Sequence, residues 1–75
     1  MQAGERVGAI RSANDQGVSL FGYGVYDGDV KHPDFGFPNP HITLDDGRVV
    51  WGCECWWGPE ESVKKSIGER TVVIV

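Results

Sequence analysis

Short runs of β-forming residues, broken by glycine, proline and Asx-containing turns, set the pattern of this chain from Arg6 onward. Such spacing predicts a small barrel or sandwich. Arg6–Arg11 reads as a first strand, and Ser12–Gly17 as a turn, because Asn14, Asp15 and Gly17 accept special backbone angles. Val18–Tyr26 reads as a longer second strand that stops at Asp27–Gly28. Alternation along it puts Gly22 and Gly24 on the face of Val18, Leu20 and Tyr26, with Phe21, Tyr23 and Val25 opposite. Glycine inside a strand points to a strong bend or to a backbone, ring or ligand in close approach.

The pattern then lapses. Residues 27–40 show no strand or helix periodicity and read as one irregular loop. A loop of that length in a small domain is often functional. Order returns at His41–Asp45 and Arg48–Trp51, which flank Asp46–Gly47. Asp-Gly between β-forming runs signals a type I′ hairpin, in which both turn residues take positive φ. The second arm is expected to continue through Trp57. Alternation then gives Val49, Trp51, Cys53, Cys55 and Trp57 one face, taken as core, and Val50, Gly52, Glu54 and Trp56 the other. On this reading Trp51 and Trp57 are core rings and Trp56 is partly exposed.

Pro59, Glu60 and Glu61 open a helix, since proline fits a first turn and acids suit its positive end. Val63 and Ile67 are four apart and face inward together. Lys64 and Lys65 lie toward the far end and Gly68 is the stop. Thr71–Val75 reads as the last strand. The fold class is therefore mostly β: a small SH3-like barrel or roll of about five antiparallel strands with one short helix before the last. An OB-like or other α+β roll is the alternative.

With 75 residues the chain makes one domain, 1–75, whose core is marginal on its own. The 40% apolar and 24% charged fractions are those of an ordinary globular protein. A net charge of −4, with Lys64–Lys65 the only basic doublet, argues against nucleic acid and anionic membranes as partners. No apolar run has membrane-spanning length, and the first residues lack an export signal's apolar stretch. Two cysteines without such a signal fit free thiols in the cytoplasm.

Cys53-x-Cys55 invites a metal, but structural zinc sites space paired cysteines more widely and need further ligands, for which only His32 and His41 remain. No metal and no cofactor are expected. The loop gathers Asp27, Asp29, His32, Asp34, Phe35 and Phe37, without a partner arrangement that would fix a nucleophile or base. The ordinary role of such residues is turn formation, with Phe35 and Phe37 tucked onto the barrel or a partner subunit. Glu54 interrupts an apolar, aromatic strand and could hydrogen-bond a ligand beside Trp56. The candidate binding residues are Tyr23, His32, Phe35, Phe37, Glu54 and Trp56, with no catalytic residue among them.

The strings FGYGVYDGD at 21–29 and WGCECWWGPE at 51–60, around LDDG at 44–47, resemble small uncharacterised bacterial proteins carried on phages or other mobile elements. That resemblance implies an inhibitor, sequestering protein or adaptor, and assigns no site. The expectation is a non-enzymatic binding module that self-associates. A sequestering protein for a planar, nucleotide-like small molecule is the alternative.

Overall fold

β1 (Arg6–Ala13) and β2 (Gly17–Lys31) form the first antiparallel pair. Their turn is held by Asn14, whose Oδ1 accepts the N–H groups of Gln16 and Gly17 at 2.9 Å each. β3 (Pro38–Leu44) and β4 (Val49–Trp51) follow as a hairpin, then a single 3-10 turn at Gly52–Glu54 and β5 (Trp56–Pro59). Helix α1 (Glu60–Ile67) and β6 (Thr71–Ile74) complete the chain. The computed structural model describes all 75 residues. Its accessible surface of 4732 Å² is near the roughly 4,500 Å² usual for a compact monomer of this mass.

All six strands belong to one sheet. The path runs β4-β3-β2-β1-β5, and β6 lies beside β2 as a parallel neighbour. Two details differ from expectation: there are six strands rather than five, and the last is parallel. The sheet is also open, since β4 and β5 pair on one side only and do not meet by hydrogen bonds. No helix is long and apolar enough to cross a membrane.

β2 organises the sheet. β1 pairs along one edge of it; on the other edge β6 takes Gly17–Leu20 and β3 takes Gly24–Lys31. Between β6 and β3 the Arg48 guanidinium donates to Phe21 O and Val75 O, both at 2.7 Å. The ladder with β1 shifts register between Ala9/Ile10 and Gly22/Leu20, which makes Phe21 an extra residue in a bulge. That bulge overturns the simple alternation read from sequence. Gly22 and Gly24 pair with Ala9 and Val7 on one face, whereas Leu20 pairs with Ile10 and Tyr23 with Gly8 on the other. Gly24 is required by packing: a Cβ there would sit 2.6 Å from Leu44 Cα and closer still to Thr43 O.

The core has two parts, one on each face. Val7, Ala9, Tyr26, Ile42 and Leu44 form the first, with Phe21, Val50, Cys55 and Trp57 packed on it. Val18, Leu20, Val63 and Ile67 form the second, with Ile10 and Tyr23 beside them. Helix α1 thus presents the two residues its spacing predicts. Gly68 ends it at φ +61°, and Arg70 donates to the late carbonyls of Ser66 and Ile67.

The Asp46–Gly47 hairpin forms where expected, but not as type I′. Only Gly47 has positive φ; Gly47 N–H bonds to Leu44 O and Leu44 N–H to Arg48 O. This is a three-residue loop that ends in a left-handed glycine. The 27–40 loop is much shorter than read. Residues 27–31 continue β2 and 38–40 begin β3, so only 32–37 are irregular. Pro38 and Pro40 hid this extension. They are tolerated because β4 pairs only with residues 41–43, which leaves the start of β3 at an edge.

The strand expected through Trp57 is interrupted. β4 and β5 lie at opposite ends of the sheet path, so Gly52–Cys55 must carry the chain from one to the other. The 3-10 turn does this and resets the alternation. Val50, not Val49, packs against the core, opposite Ile42, while Cys55 and Trp57 do face it. Val49 is exposed and Trp51 pairs with His41 on the other face.

Candidate functional site

His32 lies at the end of the extended β2–β3 hairpin and is only 2% exposed. Two rings bury it. Phe35, three residues on, stacks at 4.4 Å between centroids, and Trp51 tilts against it at 4.5 Å. The backbone N–H of Asp34 donates to its Nδ1 at 3.1 Å. With Nδ1 accepting, the proton of the neutral ring sits on Nε2. Nε2 faces Glu54 Oε1 at 3.4 Å, a long contact for a hydrogen bond. Cys53 is the third member: its Sγ, a His32 ring nitrogen and a Glu54 oxygen all lie within 4.8 Å of one another. Cys53 and Glu54 are exposed, so the group opens to solvent.

A second histidine lies on the far side of Trp51. His41 meets the Trp51 ring edge-on at 5.0 Å. Its Nδ1 is 2.7 Å from Asp27 Oδ2, which also accepts the Thr43 hydroxyl at 2.6 Å. The Thr43 hydrogen bond, with His41 adding to it, holds the Asp27 carboxyl below its ordinary value. Asp29 belongs to neither group; it accepts the Tyr26 hydroxyl at 2.7 Å and raises that phenol. Burial first, then Cys53 and Glu54, pushes the Cys55 thiol up to about 11. Cys55 therefore stays protonated, and its Sγ donates to Trp51 O at 3.4 Å.

The residues singled out from sequence separate into three places. His32, Glu54 and Phe35 come together, and Phe37 extends the stack with its ring 5.8 Å from Phe35. Both phenylalanines are exposed, at 51% and 58%, rather than tucked onto the sheet. Glu54 sits in the 3-10 turn, not on the strand assumed for it. Tyr23 lies elsewhere, on the helix face, packed over Gly8 and Val63 with Lys64 Nζ 5.3 Å above its ring. It is half-buried there and packs beside the helix-side core. Trp56 is 78% exposed and borders a groove of about 370 Å³ with Ile10, Ala13, Ser66 and Arg70. No residue of 27–40 lines that groove, so Trp56 and the loop do not form one pocket.

Sequence reading missed Trp51 as a member of the His32 group and weighed Cys53 with His32 only as half of a Cys-x-Cys pair. Alternation places Trp51 in the core, and the 3-10 turn that presents Cys53 has no local signature. No protein-family model, curated protein or solved structure matches the chain.

Proposed function

We propose that the protein is a non-catalytic binding module that self-associates through β6. The observation that carries this reading is the state of that strand. Thr71–Ile74 is hydrogen-bonded to β2 along one edge only, and Val72, Val73 and Ile74 are 40%, 56% and 61% exposed. An uncharged, apolar edge strand is a template for pairing unless something covers it. A second copy covers it symmetrically, each β6 meeting the other antiparallel, as in an isologous dimer.

The polar groups support a role without catalysis. Asp27, Asp29 and Glu54 each serve a different partner, and no nucleophile hydrogen-bonds to either histidine. Free Cys53 and Cys55 fit a reducing compartment. The SH3-like likeness belongs to the same proposal; it rests on the bent central strand and on the single helix before the last strand.

Size-exclusion chromatography with light scattering at tens of micromolar tests the reading. The expected particle has twice the 8.2 kDa chain mass. Val73→Lys is expected to give a folded monomer. A wild-type chain that stays strictly monomeric overturns the proposal. A second reading rests on Trp56, whose exposed ring beside the groove suits a planar small molecule. Thermal-shift screening with nucleotides separates the two: a nucleotide-dependent rise in Tm, lost in Trp56→Ala, supports the second.

A further inference from the structure

We propose that His32 Nε2, Cys53 Sγ and the Glu54 carboxylate together bind a zinc-type divalent cation, with solvent completing its coordination. The donor set carries the choice of metal. Imidazole, thiolate and carboxylate together suit zinc, a borderline-soft ion that commonly takes four ligands. Magnesium and calcium prefer oxygen, and here two of three donors are nitrogen and sulfur. One donor atom from each residue already lies within 4.8 Å of the other two, so small side-chain movements suffice to close on an ion.

The elements around the site give it one rigid side and one adaptable side. His32 is held between Phe35 and Trp51 and is 2% exposed, so its direction is fixed before binding. Cys53 and Glu54 are adjacent in the 3-10 turn and exposed, free to reorient. The Cys-x-Cys pair does not act as a unit, because Cys55 turns toward Trp51 O. Spacing in the sequence therefore argues against zinc, while the structure supplies a different set: one cysteine, the buried histidine and the intervening glutamate.

Binding moves protons in a defined way. The Cys53 thiol releases one proton to solvent as its sulfur binds. His32 keeps one proton but must carry it on Nδ1, because Nε2 now gives its lone pair to the metal. That proton points at the Asp34 N–H, so the 3.1 Å contact breaks. One backbone hydrogen bond is worth only about five-fold in an equilibrium constant, far less than zinc ligation contributes. The proposal thus links metal to the backbone at Asp34, whose N–H must find another acceptor when the site fills.

The test uses the tag-free full chain under reducing conditions, with zinc(II) or cobalt(II) as the only added ligand. Native mass spectrometry is expected to find one zinc per chain. Cobalt is expected to show thiolate-to-metal charge-transfer absorption. Cys53→Ser removes that absorption and weakens zinc by more than the 10–100-fold typical of outer-shell changes. Glu54→Gln, at an exposed position, weakens it by about tenfold or more. Cys55→Ser leaves both intact. In ¹⁵N spectra the His32 proton moves from Nε2 to Nδ1 on adding zinc. Binding well below one equivalent at tens of micromolar, or full binding in Cys53→Ser, overturns the proposal. The same spectra count chains per particle, so the metal site and self-association fail separately.

Discussion

On one face of the sheet, helix α1 lays Val63 and Ile67 onto Val18 and Leu20. On the other face no helix covers Val7, Ala9, Tyr26, Ile42 and Leu44; Phe21, Val50, Cys55 and Trp57 pack there instead. The helix closes its face with residues one turn apart and stops cleanly at Gly68. The second face is closed by a chain segment that leaves β4, makes one 3-10 turn and re-enters the sheet as β5. It needs a large ring to do so, and Trp57 lies 5.1 Å from Tyr26. The difference is one of economy. A helix buries a face through local spacing, whereas a crossover does so through bulk placed by the topology.

Four experiments break or sharpen this contrast. The largest effect is expected at Gly24, where β2 and β3 touch backbone to backbone under the crossover face. Gly24→Ala forces a Cβ to within 2.6 Å of Leu44 Cα, and the strands must part. The expected loss is about 3 kcal/mol or more, read as collapse of the thermal transition in circular dichroism. An unchanged Tm would contradict the close approach.

Next comes a paired measurement of cavity cost. Ile42→Ala is expected to cost about 4 kcal/mol and Ile67→Ala about 2–3 kcal/mol in urea unfolding. Ile42 is fully buried between paired strands that cannot settle into the gap, while an eight-residue helix can shift toward the sheet. Equal costs would mean that both faces relax alike.

Acid probes the tie between the two faces. Arg6 joins Asp45 of the hairpin to Glu60 at the start of α1, at 2.6 and 2.7 Å. Its hydrogen bonds hold both carboxyls below their ordinary values. Groups with a depressed folded pKa stabilise above their unfolded pKa and lose that contribution as pH falls through the folded one. Stability is expected to decline below about pH 4, and less steeply in Arg6→Gln. Denaturation midpoints measured from pH 6 to 2 would show parallel curves if the network adds nothing.

The smallest effect is expected at Trp56, next to the ring that closes the core. Trp56→Ala should change stability by less than about 0.5 kcal/mol, because its ring is 78% exposed. Trp57→Ala, measured in the same melts, should cost about 3 kcal/mol. A large loss at Trp56 would place it in the fold rather than on a surface.

Much of the helix face was readable in the sequence because its signals are local. Val63 and Ile67 are one turn apart, Glu60 and Glu61 mark the start, and Gly68 the end. The hairpin at Asp46–Gly47 was readable in position, while its turn type depends on the φ of Asp46, which the dipeptide does not fix. The crossover face was not readable. Its phase depends on where β4 must be left to reach β5, a fact of the whole sheet. The candidate site shares this property. Phe35 is near His32 in sequence, but Trp51, Cys53 and Glu54 reach it from β4 and the 3-10 turn that follows it. The prolines of β3 misled for the opposite reason: they signal loops locally, yet the edge of β3 that β4 leaves unpaired accommodates them.

The parallel pairing of β6 has a consequence for folding time. It joins Gly17–Leu20 to Thr71–Ile74, so two segments far apart in sequence must find each other before the sheet is complete. The β1–β2 and β3–β4 hairpins can form early from neighbouring residues. The β6–β2 and β1–β5 pairings both close loops of about 50 residues, and contacts of that kind slow folding. Until these two pairings close, Gly17–Leu20 keeps one bare edge and β1 lacks its outer neighbour, and refolding should finish with them.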